Sequence, residues 1–303
     1  MGWITVAALF LVVTAASGGA GFFYKKISLL HKTEGYVSEV LFIAPVLLCV
    51  LFAALASISG WQFNLVNFVC GIAGGICFSM AVAMLLFAVA KGDYSVSVII
   101  INLSFFIPIV LSAIFLRETI EPLQIAGIFL LLAVIVFSNL NIKKKPQAEI
   151  DAEVVRNKKS NAWVAYALLA CLFNGLVNFS LKVQQHFSPQ GGQDTFYFVM
   201  YAVSFLIGAA LYLAKGARTV RQESPKIPLC SAGLGACVAF NYYPMSFLAG
   251  KVNSALLFGV ATAGGILMSL LAGWIFFHEK VTAKSIASIL CCIAAIALQI
   301  ISI

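Results

Sequence analysis

The sequence predicts an all-α integral membrane protein: ten transmembrane helices arranged as two inverted five-helix repeats. Three observations carry that expectation. The 303 residues are 62% hydrophobic and only 10% charged, with a mean hydropathy of +1.03. A soluble domain averages roughly half apolar and a quarter charged, so this chain could not cover its apolar surface in water. The apolar residues also fall into segments near the roughly 20 residues that a helical span needs. Finally, the stretch Phe115–Ala133, FLRETIEPLQIAGIFLLLA, has a second copy at Phe276–Ala294, FFHEKVTAKSIASILCCIA. In each copy an apolar run stops at a glutamate, Glu118 or Glu279, and a new apolar run follows a short turn. Self-similarity at half the chain length points to a duplicated unit.

In order, the expected spans are 2–23, 36–57, 65–90, 95–116, 122–141, 162–184, 195–214, 227–250, 254–277 and 282–301. The first lacks the basic start of a signal peptide and its apolar run is too long for one, so it reads as a span. Residues 142–161 are polar, carry both charges and contain Pro146. They read as a solvated linker between a first repeat, 1–141, and a second, 162–303. Lysines recur at matched places: Lys25 with Lys182, and Lys91 with Lys251. Five spans per unit is an odd number, so the second unit must enter the membrane from the opposite side. By this topology 16 of the 19 Lys and Arg fall on the linker's face. The positive-inside rule then puts the linker in the cytoplasm of a cell membrane and both termini outside.

Polar groups inside spans are costly and mark sites or helix contacts. Asn174, Asn178 and Lys182 follow at i, i+4 and i+8, one face of the sixth span. Ser17 and Lys25 occupy the matching face of the first. The asparagines read either as the lining of a substrate path or as glue between helices, and the lysines as substrate groups or as snorkelling cations. Asn102 shares the fourth span with Ser104 and Pro108, and Asn241 and Tyr242 precede Pro244 in the eighth. Each region reads as an interrupted binding helix or as a packing kink. Tyr201, with Tyr197 one turn before it, offers stacking or a hydroxyl. Glu118 and Glu279 read as carboxylates at the start of the next helix, and Lys91 and Lys251 as cations at helix ends. A proton-coupling role is the other reading of the glutamates.

Taken in order, Ala90-Lys91-Gly92, Ser95, Pro108, Glu118, Gln124 and Gly127, then Gly250-Lys251, Ser254 and Glu279, resemble the EamA-type, ten-helix branch of the drug/metabolite transporter superfamily. Lys25 and Lys182 fit the same pattern, and the resemblance covers nearly the whole chain. It implies a carrier without a cofactor. The residues argue against an enzyme: His31, His186 and His278 lie at loops or span ends, and the eight cysteines form no CxxC. The expected function is transport of a small metabolite by alternating access, with an amino acid or another zwitterionic or anionic solute favoured by the asparagines and lysines. A lipid-linked-sugar flippase component, or a membrane subunit that transports nothing, is the alternative. Expected partners are the solute, the lipid bilayer and a second copy of the chain in a homodimer, with no nucleic acid and no metal.

Overall fold

The structure, a computed structural model, describes residues 3–30, 36–92, 94–139, 162–188, 191–220, 224–277 and 283–301. The linker and Glu279 lie outside the described residues. Among the described residues the chain is helical with no strand. The helices are α1 (Trp3–Leu30), α2 (Tyr36–Ser59), α3 (Leu65–Lys91), α4 (Tyr94–Asn102), α5 (Phe106–Phe115), α6 (Pro122–Asn139), α7 (Ala162–Phe187), α8 (Gln193–Val220), α9 (Ile227–Ala249), α10 (Ser254–Phe277) and α11 (Ala283–Ile301). Five of them contain stretches long and apolar enough to cross a membrane: Thr5–Leu30, Tyr36–Ser59, Leu65–Lys91, Ala162–Phe187 and Gln193–Ala214. Their outer surfaces and those of their neighbours stay apolar, with Leu11, Ile58, Phe129, Leu213 and Leu229 all exposed. In water such a surface would be an aggregation liability; in lipid it is what a helix needs.

Local chemistry sets the helix ends. Asn64 caps α3 by accepting from Asn67 N–H at 2.7 Å, and Asn253 caps α10 by accepting from Leu256 N–H at 3.0 Å. Pro122 opens α6, and Gln124 reaches back to accept from Glu121 N–H at 3.3 Å. The segment 95–116, expected as one span, is two helices joined by a 3-10 turn at Leu103–Phe105. Pro108 is the physical reason: it has no N–H for Ser104 C=O, and its ring crowds that carbonyl.

The packing crosses between the two parts of the chain. α2 lies along α8, and α6 along α11. α1 packs on α9 and α10, while α7 packs on α3, α4 and α5. α3 also meets α8, and α2 also meets α9. The α2–α8 approach is close enough to need a missing side chain. Pro45 deprives Leu41 C=O of its helical donor, and Gly208 of α8 lies directly against that carbonyl, where a Cβ would collide with backbone. Gly75 of α3 similarly faces Met200 C=O of α8.

Replacing Gly208 by Val should therefore force α2 from α8 and destabilise the fold by about 1–3 kcal/mol. At Gly250 the nearest neighbour of an added Cβ is only the Gln185 side chain, at 3.3 Å. Thermal unfolding in detergent should show a clear loss for G208V and little change for G250A; equal losses would contradict the close-approach argument.

Candidate functional site

Three groups of residues stand out: a polar cluster at one end of the bundle, a buried set of tyrosines and amides, and a small apolar cavity. The cluster forms where the α5–α6, α7–α8 and α9–α10 turns meet. Arg117 takes a left-handed conformation with φ 55°. That turns the chain after α5, so that Glu118 N–H returns to Ser112 C=O at 3.3 Å. The Glu118 carboxylate then meets the Lys182 ammonium at 2.8 Å. Its second oxygen accepts from Ser254 N–H, also at 2.8 Å. Lys182 donates its remaining hydrogens to Ala249 C=O at 2.8 Å and Val252 C=O at 2.7 Å. Beside it, Asn253 donates to Gln124 Oε1 at 2.8 Å. Burial pushes the Glu118 carboxyl up, but the Lys182 ammonium and the Ser254 N–H outweigh it and hold the carboxyl below the ordinary glutamate range.

The same end carries further bonds between the first and second parts of the chain. Ser59 donates to Asp194 at 2.6 Å, Gln62 N–H to Thr195 Oγ1 at 3.0 Å, Asn64 to Ser188 at 3.0 Å, and Gln184 to Asn67 at 2.9 Å. Gln185 completes the row by donating to Gln184 at 2.8 Å. At the opposite end of α7, the Lys91 ammonium at the close of α3 lies 5.2 Å from the Tyr166 ring centre and 5.7 Å from that of Phe87.

The residues singled out from the sequence take distinct positions. Asn174 donates to Ser104 Oγ in the 3-10 turn at 2.7 Å. Asn178, one turn on, is buried and makes no side-chain hydrogen bond with a described residue. Lys182 is occupied as described, so its ammonium has no hydrogen left for a solute. Ser17 accepts from Asn241 at 2.6 Å and itself donates to Val13 C=O at 2.9 Å, which ties α1 to α9. Lys25 belongs to α1 near its end. Asn102 closes α4 without a side-chain capping bond. Lys251 lies in the α9–α10 turn, where its N–H bonds Leu248 C=O at 2.8 Å. Glu118 does stabilise a helix start, but that of α10 rather than of the α6 that follows it.

The tyrosines are buried, Tyr197 one turn and Tyr201 two turns inside the start of α8. Tyr197 donates to Tyr242 C=O at 2.6 Å. Tyr201 is fully buried and its hydroxyl has no partner among the described residues. Phe52 stacks on Tyr201 at 5.6 Å, and Phe78 meets Tyr201 edge-on at 5.4 Å. Phe78 also lines the small cavity, with Tyr24, Val40, Leu41, Ala44, Pro45, Val82, Leu234 and Val238. Val40 and Leu41 belong to the first turns of α2, Val82 to the second half of α3 and Leu234 to the first half of α9. The cavity thus lies away from the Lys182 end. Sequence reasoning passed over Pro45, Tyr24, Gln184 and Asp194. Pro45, inside an apolar run, was the signal available; the others needed the packing.

No family model matches the chain, and no curated protein aligns with it. A solved structure described only as "Crystal structure of protein" superposes with a TM-score of 0.68, over 96% of this chain and 96% of that one, at 13% sequence identity. At that identity the likeness concerns the fold alone.

The ion pair sets a pH dependence. Glu118 has a lower pKa folded than unfolded, so its contribution to stability is present above the ordinary value of 4.5 and is lost as pH falls through the folded value. Thermal unfolding between about pH 3 and 7 should show this loss in the native chain and not in E118Q. Removing one partner of a buried pair costs about 3–5 kcal/mol. The double variant E118Q/K182M should be less destabilised than the two single losses added together; strict additivity would show that the pair is not coupled.

Proposed function

We propose that this chain is a carrier in the cell membrane that moves a small metabolite by alternating access. Its two working parts are the five-segment halves 1–141 and 162–303, with α4 and α5 together counting as one segment. One observation carries the reading: bonds between the halves seal one end of the bundle, and the cavity lies toward the other. A carrier caught in one of two states needs that asymmetry.

The helix contacts support an inverted duplication. Each contact keeps its sense when the halves are exchanged. α1 on α9 and α10 becomes α7 on α3 and on α4–α5, and α3 on α8 becomes α9 on α2. α2 with α8, and α6 with α11, map onto themselves. A two-fold relation between the halves produces this pattern. Together with the ordered residues from Ala90 to Glu279, it supports the EamA-type assignment. The charge distribution supports a cytoplasmic linker, which puts the sealed end outside and the cavity toward the cytoplasm.

A zwitterionic or anionic solute, favoured by the sequence, draws on Lys182 as an available cation. The ammonium is committed to Glu118 and two carbonyls, so such a solute must displace Glu118 to reach it.

A cross-link at the sealed end tests the mechanism. Asn64 and Ser188 belong to different halves and bond each other. In a variant freed of its native cysteines, N64C/S188C should exchange labelled metabolites across proteoliposomes when reduced, stop when oxidised, and recover on reduction. Exchange that continues through the closed disulfide would overturn alternating access at this end.

A further inference from the structure

We propose that the middle of the bundle, between Tyr24, Phe78, Tyr201 and Tyr242, is a chamber for an uncharged solute with a flat apolar body and a hydrogen-bonding group. This deepens the carrier reading by naming the class of solute, and it rests on that reading only for the step of transport.

The first argument is an account of charge. No Asp, Glu, Lys, Arg or His occupies the central turns of any described helix; the charged residues lie toward the helix ends, with Glu39 buried in the first turn of α2 at the cavity end and Asp194 buried at the sealed end. The buried Lys182–Glu118 pair is at the sealed end, and its ammonium and carboxylate are satisfied by each other and by backbone. A charged group taken into the middle would have no counter-ion, which is expensive in an apolar medium. A broken helix can offer a substitute, because free N–H groups at a mid-membrane helix start attract anions. The break between α4 and α5 does not. Phe106 N–H already bonds Leu103 C=O and Ser104 C=O, so the turn runs into α5 without exposing its amides.

The second argument is what the middle does present. Around the cavity the walls are aliphatic and aromatic. Behind Phe78 stands Tyr201, whose hydroxyl is fully buried without a partner among the described residues and within electrostatic reach of the Tyr242, Tyr197 and Tyr24 phenols. A buried hydroxyl left unsatisfied costs stability and calls for an explanation; the Ser112 and Ser254 hydroxyls are likewise unpartnered, but at the sealed end, whereas that of Tyr201 stands behind a ring that lines the cavity. Other donors in the interior are engaged: the Asn241 amide N–H with Ser17, the Asn174 amide N–H with Ser104, and the Tyr197 hydroxyl with Tyr242 C=O. Rings to stack on, few hydrogen-bonding handles and no charge select a flat neutral molecule. The cavity is small in this state, so the solute enters as α1 and α9 part from α2 and α3.

Matched probes test the class. The purified full-length chain is titrated with benzamide, nicotinamide and indole, which are uncharged, and with benzoate, benzylammonium and phenylalanine, which carry charge at neutral pH. At least one uncharged probe should bind saturably, and every charged probe at least about tenfold more weakly. Y201F should weaken the bound probe about tenfold, since one good hydrogen bond is worth about that factor. It should leave the melting temperature of the free protein unchanged or raised, because an unsatisfied hydroxyl is removed. A charged probe that binds as tightly, a panel in which no uncharged probe binds, or binding untouched by Y201F would overturn the proposal. The carrier reading fails separately. If an uncharged probe binds but crosses proteoliposomes no faster than protein-free vesicles, the chamber stands and the carrier does not. If only charged metabolites are exchanged, the carrier stands and the chamber does not.

Discussion

The ion pair between Glu118 and Lys182 is the constraint on which the closed end depends. It forms where two successive helices present opposite ends at one turn. The last carbonyls of α9 carry partial negative charge, and Lys182 takes Ala249 C=O and Val252 C=O. The first amides of α10 carry partial positive charge, and Glu118 takes Ser254 N–H. Each side chain therefore meets a helix end of the right sign as well as its counter-ion. That addition decides the sign of the interaction. An ion pair alone at this depth barely recovers the cost of leaving water, but one whose remaining hydrogens and lone pairs are bonded recovers it. The strained φ of Arg117 is the local cost of aiming Glu118 inward.

Much of the fold was legible because lipid imposes simple rules. Apolar segments of the right length, polar turns and matched lysines marked where the helices run, and the described helices follow those marks. The break in 95–116 was legible only as a choice, because Pro108 permits either a kink or a new start. At the site, periodicity grouped Asn174, Asn178 and Lys182 on one face of α7. It could not show that the stripe reaches a different neighbour at each depth: Ser104 for Asn174, no described partner for Asn178, and Glu118 for Lys182. Glu118 and Lys182 are 64 positions apart in the chain, and neither spacing nor composition pairs them. The same holds for Gln184 with Asn67 and Asp194 with Ser59, which look like ordinary helix-end polarity until the halves are packed together.

Close packing joins the halves firmly and, for a carrier of the proposed kind, would still let them part. Gly75 and Gly208 bring backbones together without interlocking side chains. The contact gains dispersion and Cα–H contacts, while little has to unthread if the helices shift. Polar bonds, by contrast, are concentrated at the sealed end. Each is worth about 1 kcal/mol net, so that end is held by several kcal/mol, which a carrier of the proposed kind would have to replace on changing state.

Inverted halves offer a way to replace it. In a carrier built that way, each bond at one end has a counterpart position at the other, so what is lost on opening one face can be regained on closing its mate. The duplicated sequence places Lys25 at the register of Lys182 and Glu279 at that of Glu118. The exchange is not residue for residue, however. Asn174 corresponds to Ser17, and Asn241 to Ala81, so the interior differs between the halves even where their ends agree. A shared frame can keep the two closed states near one another in energy. On that reading the unequal interior leaves particular groups, the Tyr201 hydroxyl among them, without a partner among the described residues. On the proposed carrier reading, the residues that repeat would serve the movement, and those that do not repeat would be where a solute is told apart.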